Sequence, residues 1–340
     1  MGRPRSRRPT GSQRHVLLSH CPKHRSTGLW QSGGARLKTL LALLLAASAA
    51  HGADFAAAFL RTGLGARGLG LGAFVAAADD ASSPYWNPAG LARLRGKTLE
   101  TSIQSLSLGR RQGSAAVALN VRGDMGFGFA WSHAAVGGIK GRTASGQYTG
   151  TIEDRANAFI FGIGRSLGSR LAVGLAVKVL RQSIDVPSTP KATANGSGFD
   201  LGVQFRAAEH TWLGAGISNL STNLAWKVRH ADQRSNTTEN ALPRILVFGA
   251  SQRLLDALLL AAEVRDDGEQ SVNLGAEWQL SALLEVRGGL HRLGAEDGGQ
   301  LSAGLTLRPA RRETVQFQYT YLSDPLGAGG RTTVGLTLAF

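Results

Sequence analysis

Gly63, Gly65 and Gly68 stand in the spacing G-x-G-x-x-G. In a dinucleotide site such glycines make the tight turn from strand to helix and let a pyrophosphate approach the backbone. Here no strand pattern precedes them and no βαβ unit follows. Asp79 and Asp80 also come too early for the ribose-binding acid, which belongs ~20 residues on. The glycines are better read as letting the backbone thread a crowded space. The histidines beyond residue 53 are His133, His210, His230 and His291, and no two have metal-ligand spacing. Cys21 is the only cysteine, which leaves the rest of the chain without disulfides or thiolate metal sites. No nucleophile elbow, zinc motif or P-loop is found. These residue types imply no metal, no cofactor and no enzyme.

The residues left for polar work are charges set in alternating segments. Glu263, Arg265, Glu277, Glu285 and Arg287 fall at one parity of the later segments, and Lys178, Asp200 and Arg206 at the matching parity of earlier ones. On adjacent strands they would form a ladder of alternating charge across a lumen. Such a ladder either selects and binds a substrate or fills the lumen and holds whatever lies in it. Buried charges need partners in both cases.

The alternation itself predicts the elements that carry these charges. Met125, Phe127, Phe129 and Trp131 alternate with Gly126, Gly128, Ala130 and Ser132. Phe199, Leu201, Val203 and Phe205 alternate with Asp200, Gly202, Gln204 and Arg206. One face is bulky and apolar, the other small or polar, with a period of two. A sandwich buries the bulky face against a second sheet, whereas a membrane barrel turns it to lipid. Fourteen strands are expected, roughly 98–108, 114–121, 125–134, 156–166, 171–184, 197–206, 211–219, 244–252, 257–265, 271–279, 283–291, 300–308, 313–322 and 331–340. The tight connections and the long ones (135–155, 185–196 and 220–243) alternate in parity. In an up-and-down meander this sends every long loop to one rim and every tight turn to the other, the outer-membrane pattern. The fold class expected is all-β: a transmembrane, antiparallel, up-and-down barrel of fourteen strands. Trp131, Trp278, Tyr319 and Tyr321 are expected near lipid or its interface.

The chain ends within the last alternating segment, on Val334, Leu336, Leu338 and Phe340. A terminal aromatic at the outward parity resembles the signal read by the outer-membrane assembly machinery. At the other end, Leu37–Ala50 is an apolar run preceded by basic residues and followed by small ones. It is too short for a spanning helix and fits the core of a signal peptide, cleaved after Ala47-Ser48-Ala49 or Ala50-His51-Gly52. Residues 1–53 hold nine of the 38 Lys and Arg and no acid, which leaves 29 basic residues against 23 acidic ones. So small an excess does not argue for nucleic acid.

Residues 54–96 do not alternate. Asn87 is a good N-cap and Pro88 a good first helical residue, so a helical turn is expected near 88–94, with Trp86 and Leu91 as a hydrophobic staple. Gly65-Ala66-Arg67, Leu71–Ala76, Ala78-Asp79-Asp80-Ala81-Ser82 and Tyr85-Trp86-Asn87-Pro88-Ala89-Gly90-Leu91 resemble the opening of PorV/PorQ-like outer-membrane proteins, relatives of the FadL-like long-chain fatty-acid transporters. The resemblance implies a fourteen-stranded barrel whose N-terminal segment folds inside as a hatch, with Asp79, Asp80, Trp86, Asn87, Pro88, Ala89 and Gly90 in it. Residues 1–35 have no counterpart in that pattern. The expected organisation is a cleaved leader (1–52), a hatch (53–96) and the barrel (97–340) in the bacterial outer membrane. Its expected function is passage of a hydrophobic small molecule, which requires an apolar pocket between hatch and upper wall. The alternative is a barrel that anchors or shuttles secreted proteins, as in type IX-like secretion, with a blocked lumen and a partner-binding outer rim. Expected partners are outer-membrane lipid, the barrel-assembly machinery, and either a hydrophobic ligand or a secreted protein.

Overall fold

The computed structural model describes residues 56–340, except 188, 190, 230–234, 297, 310–313 and 325–328. The expected leader and His230 lie outside the described residues. The strands are β1 (Lys97–Ser105), β2 (Arg111–Val121), β3 (Met125–Arg142), β4 (Tyr148–Leu167), β5 (Leu171–Asp185), β6 (Ala192–Ala208), β7 (Thr211–Arg229) and β8 (Ser235–Ala241). They continue with β9 (Ile245–Leu254), β10 (Leu258–Asp266), β11 (Gln270–Gln279), β12 (Leu284–Leu293), β13 (Gln300–Leu307), β14 (Val315–Leu322) and β15 (Arg331–Ala339).

Each strand pairs antiparallel with its neighbours, and β1 pairs with β15, so the sheet closes. Strands β8 and β9 share one wall position: β8 pairs with Asn223–Arg229 of β7, and β9 with Thr211–Ser218. The wall therefore has fourteen positions, and closure removes the open edges that lipid cannot satisfy. Between β8 and β9 the ladder is interrupted at Leu242, Pro243 and Arg244. Pro243 has no N–H to donate, and across from it β7 bulges, with Asn219 and Ser221 at φ 63° and 48°.

The parity expected from sequence holds. Phe127, Phe161, Phe199, Leu201, Val203, Trp278, Phe317, Tyr319, Tyr321 and Val334 are exposed on the outer face. On β1 the inward set is Thr98, Glu100, Ser102 and Gln104, all buried. Leu336 and Leu338 share the outward parity of Val334, and Phe340 exchanges backbone hydrogen bonds with Lys97 at 2.9 and 3.0 Å. Tight turns lie at one rim. Arg122 and Gly123 both take positive φ there (62° and 78°), the mirror-image turn that suits twisted hairpins.

The long loops at the other rim are shorter than expected. The 135–155 stretch is mostly ribbon, because β3 runs on to Arg142 and β4 starts at Tyr148, which leaves only 143–147 as the turn. Likewise β7 continues through 220–229. In this outer part the ribbon still pairs its backbone but carries no continuous apolar outer face, so the period-two signal fades while the strand does not.

Candidate functional site

Residues 56–96 run inside the barrel and occupy much of its interior. The segment folds as short turns: a 3-10 helix at Ala58–Thr62, α-helices at Ala66–Leu71 and Ser83–Trp86, and a 3-10 helix at Pro88–Arg93. Leu64, Leu71, Phe74 and Leu91 are fully buried, each contributing about 1.5–3 kcal/mol of apolar burial. As expected, Asn87 caps the last turn, its side-chain oxygen accepting from Ala89 N at 3.1 Å. The staple does not form. Trp86 packs edge-on against Phe74 and donates to Leu64 O at 2.8 Å. Leu91 turns instead to the glycines of β3 and β4 and packs with Leu64, Leu94 and Ile160. Wall glycines leave the room that lets it go there.

The G-x-G-x-x-G glycines serve this threading. Gly63 and Gly65 take φ 85° and 79°, and a Cβ on Gly68 would come within 2.7 Å of the Trp86 indole. Gly90 presses so closely on Ala78 O that a side chain would overlap it.

Polar ties then fix the segment to the wall. Arg67 is the hub. Its Nε and Nη2 donate to the two Glu277 oxygens at 2.9 and 3.0 Å, and its Nη1 donates to Asp79 at 2.7 Å and Asp80 at 3.3 Å. A fork of this geometry is the strong form of the arginine–carboxylate bond. Arg93 donates to Ala76 O and Gln204, approaches Asp79 at 3.5 Å, and stacks over Trp212 at 3.9 Å. Asn87 donates to Val75 O and to Val203 O of β6. Glu263 accepts from the backbone N–H groups of Phe74 and Val75 at 2.8 and 3.0 Å, and from Asn273. Gln204, Ser302 and Thr320 reach the carbonyls of Val75 and Ala78, Gly70, and Ala66. A non-helical backbone inside a membrane-deep lumen survives only where such groups satisfy it.

The charges predicted to face inward do so, but among them the expected cross-strand pairing is realised only where Lys178 of β5 meets Asp200 of β6. Glu277 and Arg287 are opposite each other in register, yet Glu277 is taken by Arg67 of the inserted segment. Arg287 turns to Glu285 at 3.3 Å and to Thr306, while Glu285 also binds Arg308 at 2.7 Å. Lys178 pairs with Asp200 at 2.8 Å beside the β7 bulge, where Asn219 binds both. Arg265 meets Asp267 at 3.6 Å, a residue shared with Arg61. Arg206 stands apart, half-buried near the short-turn rim. Arg67, Arg93, Gln204, Asp267 and Glu100 are site residues beyond those picked from sequence. Glu100 had a signal, the polar inward parity of 98–104, but Arg67 and Arg93 lie where no periodicity exists. Among the described residues, no group of three or more His, Asp or Glu could hold a metal. His291 instead contacts Ser302.

Two cavities flank the inserted segment. The larger, about 940 Å³, opens at the short-turn rim beneath Arg67, Asp79 and Arg93. The smaller, about 50 Å³, lies between Leu60 and Trp86 of the segment and Leu242, Pro243 and Val247 of the interrupted wall, with Lys178 and Arg265 at its polar side.

No family model and no curated protein matches the sequence. Solved structures do resemble the fold. The TodX monoaromatic hydrocarbon channel, in a deletion mutant, superposes with a TM-score of 0.60 at 12% identity, covering 82% of this chain and 99% of that one. The toluene transporter TbuX of Ralstonia pickettii gives 0.57 at 15% identity over 82% and 98%. A Pseudomonas aeruginosa FadL homologue gives 0.57 at 11% identity over 81% and 98%. At these identities the likeness establishes a shared architecture, the fourteen-position closed antiparallel barrel of FadL-type channels.

Proposed function

We propose that this chain is a bacterial outer-membrane channel for small hydrophobic molecules, with residues 53–96 as its hatch and 97–340 as its wall. The carrying observation is the inserted segment: it is tied to the wall by polar contacts that can exchange, beside an apolar-sided cavity at an interrupted ladder. That cavity is far below the roughly 300–1,000 Å³ of a ligand pocket, so the structure corresponds to a closed state and passage needs the segment to shift. The fold shared with hydrocarbon channels supports the same substrate class. Within the FadL-like group we keep the PorV/PorQ-like affinity as a proposal resting on the 65–91 tract alone. The occupied lumen is also what the secretion-anchor alternative expects, but at the tall rim β3 and β4 leave only the short turn 143–147 in place of the long loop a partner-binding rim would use. In this proposal residues 1–52 are a cleaved leader, the wall faces outer-membrane lipid, and Val334, Leu336, Leu338 and Phe340 are read by the assembly machinery. The short-turn rim then faces the periplasm.

Uptake by intact cells tests the proposal. Cells expressing the chain should take up toluene faster than cells without it, while a hydrophilic solute of similar size gains nothing. Deleting residues 56–96 should open a leak to the hydrophilic solute. Unchanged toluene uptake sinks the channel, and an unchanged hydrophilic barrier in the deletion sinks the hatch.

A further inference from the structure

The large vestibule at the short-turn rim is a different site from the hatch cavity, and its chemistry is different. Five arginines line it (Arg67, Arg93, Arg95, Arg206 and Arg253), with His210, against two acids, Asp79 and Glu209. Arg67 is matched by Glu277 and Asp80 as well. The others are matched weakly or not at all. The guanidiniums of Arg95, Arg206 and Arg253 have no carboxylate within 4.0 Å among the described residues, Arg253 reaching only the Asp256 carbonyl. Arg93 has Asp79 alone, at 3.5 Å. Burial, and then the neighbouring charges of Arg67 and Arg253, hold the Arg93 guanidinium below its ordinary pKa in spite of Asp79.

Like charges gathered around a recess leave a positive potential that water and counter-ions must balance. Arginine suits this work because its planar fork grips phosphate and carboxylate in two places. The recess has the volume of a small-molecule pocket. Its groups also come from both sides: Arg206 and Arg253 belong to wall strands β6 and β9, and Arg93 belongs to the inserted segment.

We propose that this vestibule binds a small multivalent oxyanion, a solute carrying phosphate or clustered carboxylate groups, between Arg93 of the inserted segment and Arg206 and Arg253 of the wall. The bound anion removes the mutual repulsion of Arg93 and Arg253 and so ties the segment down. Ligand that binds the closed form stabilises it by mass action.

Calorimetric titration of the detergent-purified chain with inorganic pyrophosphate and, separately, with citrate tests this without any transport. Micromolar to low-millimolar binding by either is expected, weakening at least tenfold in an Arg206→Gln/Arg253→Gln variant and falling with added salt. Binding of pyrophosphate alone would assign the site to phosphate, and of citrate alone to carboxylates. The half-buried positions of both arginines leave the barrel intact in that variant, as retained compact migration on unheated gels would verify. Limited proteolysis gives the second readout: either anion should slow cleavage within residues 56–96 of the unsubstituted chain, and sodium chloride at equal ionic strength should not. No binding of either anion, or equal binding by the variant, overturns the proposal.

Discussion

Asp79 shows how one side chain decides whether the inserted segment stays docked. It joins Arg67 and Arg93, which lie on two different turns of that segment. Burial pushes its carboxyl up, and Arg67 and then Arg93 more than reverse this, so its pKa lies below the ordinary carboxylate value. A lowered folded-state pKa means stability that is fully present above about pH 4 and lost as pH falls through the folded value. Asp79→Asn should therefore loosen the segment by about 2 kcal/mol at neutral pH, the scale of hydrogen bonds to a charged group. Proteolysis within 56–96 is the measure, and the gap between the two proteins should close in acid below about pH 4. A gap that persists unchanged there would remove the carboxylate charge from the account. Sequence reading placed Asp79 in the right segment but could not reach its partners. Parity told which way Glu277 points. It could not tell that Arg67, from an aperiodic stretch 210 residues earlier, would take it from Arg287.

At the scale of elements, the inward glycines of the wall make the bed in which the segment lies. A Cβ on Gly174 would overlap the backbone of Pro88 and Ala89, and one on Gly126 would overlap Leu91 O. Backbone cannot step aside as a flexible side chain can. Gly174→Ala should thus dislodge the 88–93 turn, raising small-solute leak and cleavage within 56–96. Gly113→Ala is the control, because nothing lies within 4 Å of its added Cβ, and it should change neither. Equal behaviour of the two variants would mean that the segment does not rest on this bed. The glycines were visible in the sequence as the small parity of several strands, and the alternation they belong to carried the strand count and the rim asymmetry. The outer ribbons were not visible, since Lys140, Arg142, Thr149 and their neighbours carry no apolar stripe. The interruption at Pro243 was hidden for another reason: the period on either side of it belongs to separate strands.

Across the whole molecule the wall is uneven. Strands β3 to β7 have 15 to 20 residues, whereas β9 to β15 have 8 to 10. A tilted strand crosses the hydrocarbon in about 9–11 residues, so the short strands just span it and the tall ones rise well beyond. Two exposed residues of β4 separate lipid from water as the surroundings of the wall at different heights. Phe161 is 53% exposed and packs on Phe129, and Tyr148 is 55% exposed. They lie roughly 43 Å apart along the strand, which puts Tyr148 outside an apolar band about 25 Å tall when Phe161 is near its centre. If that band meets lipid, Phe161→Arg should cost about 2–4 kcal/mol in urea unfolding from vesicles. Tyr148→Arg should stay within about 0.5 kcal/mol, as exposed substitutions in water do. Nearly equal exposure makes the comparison independent of contact area. Two small, similar effects would mean that both positions face water, and the belt that holds the barrel in a membrane would have to be given up.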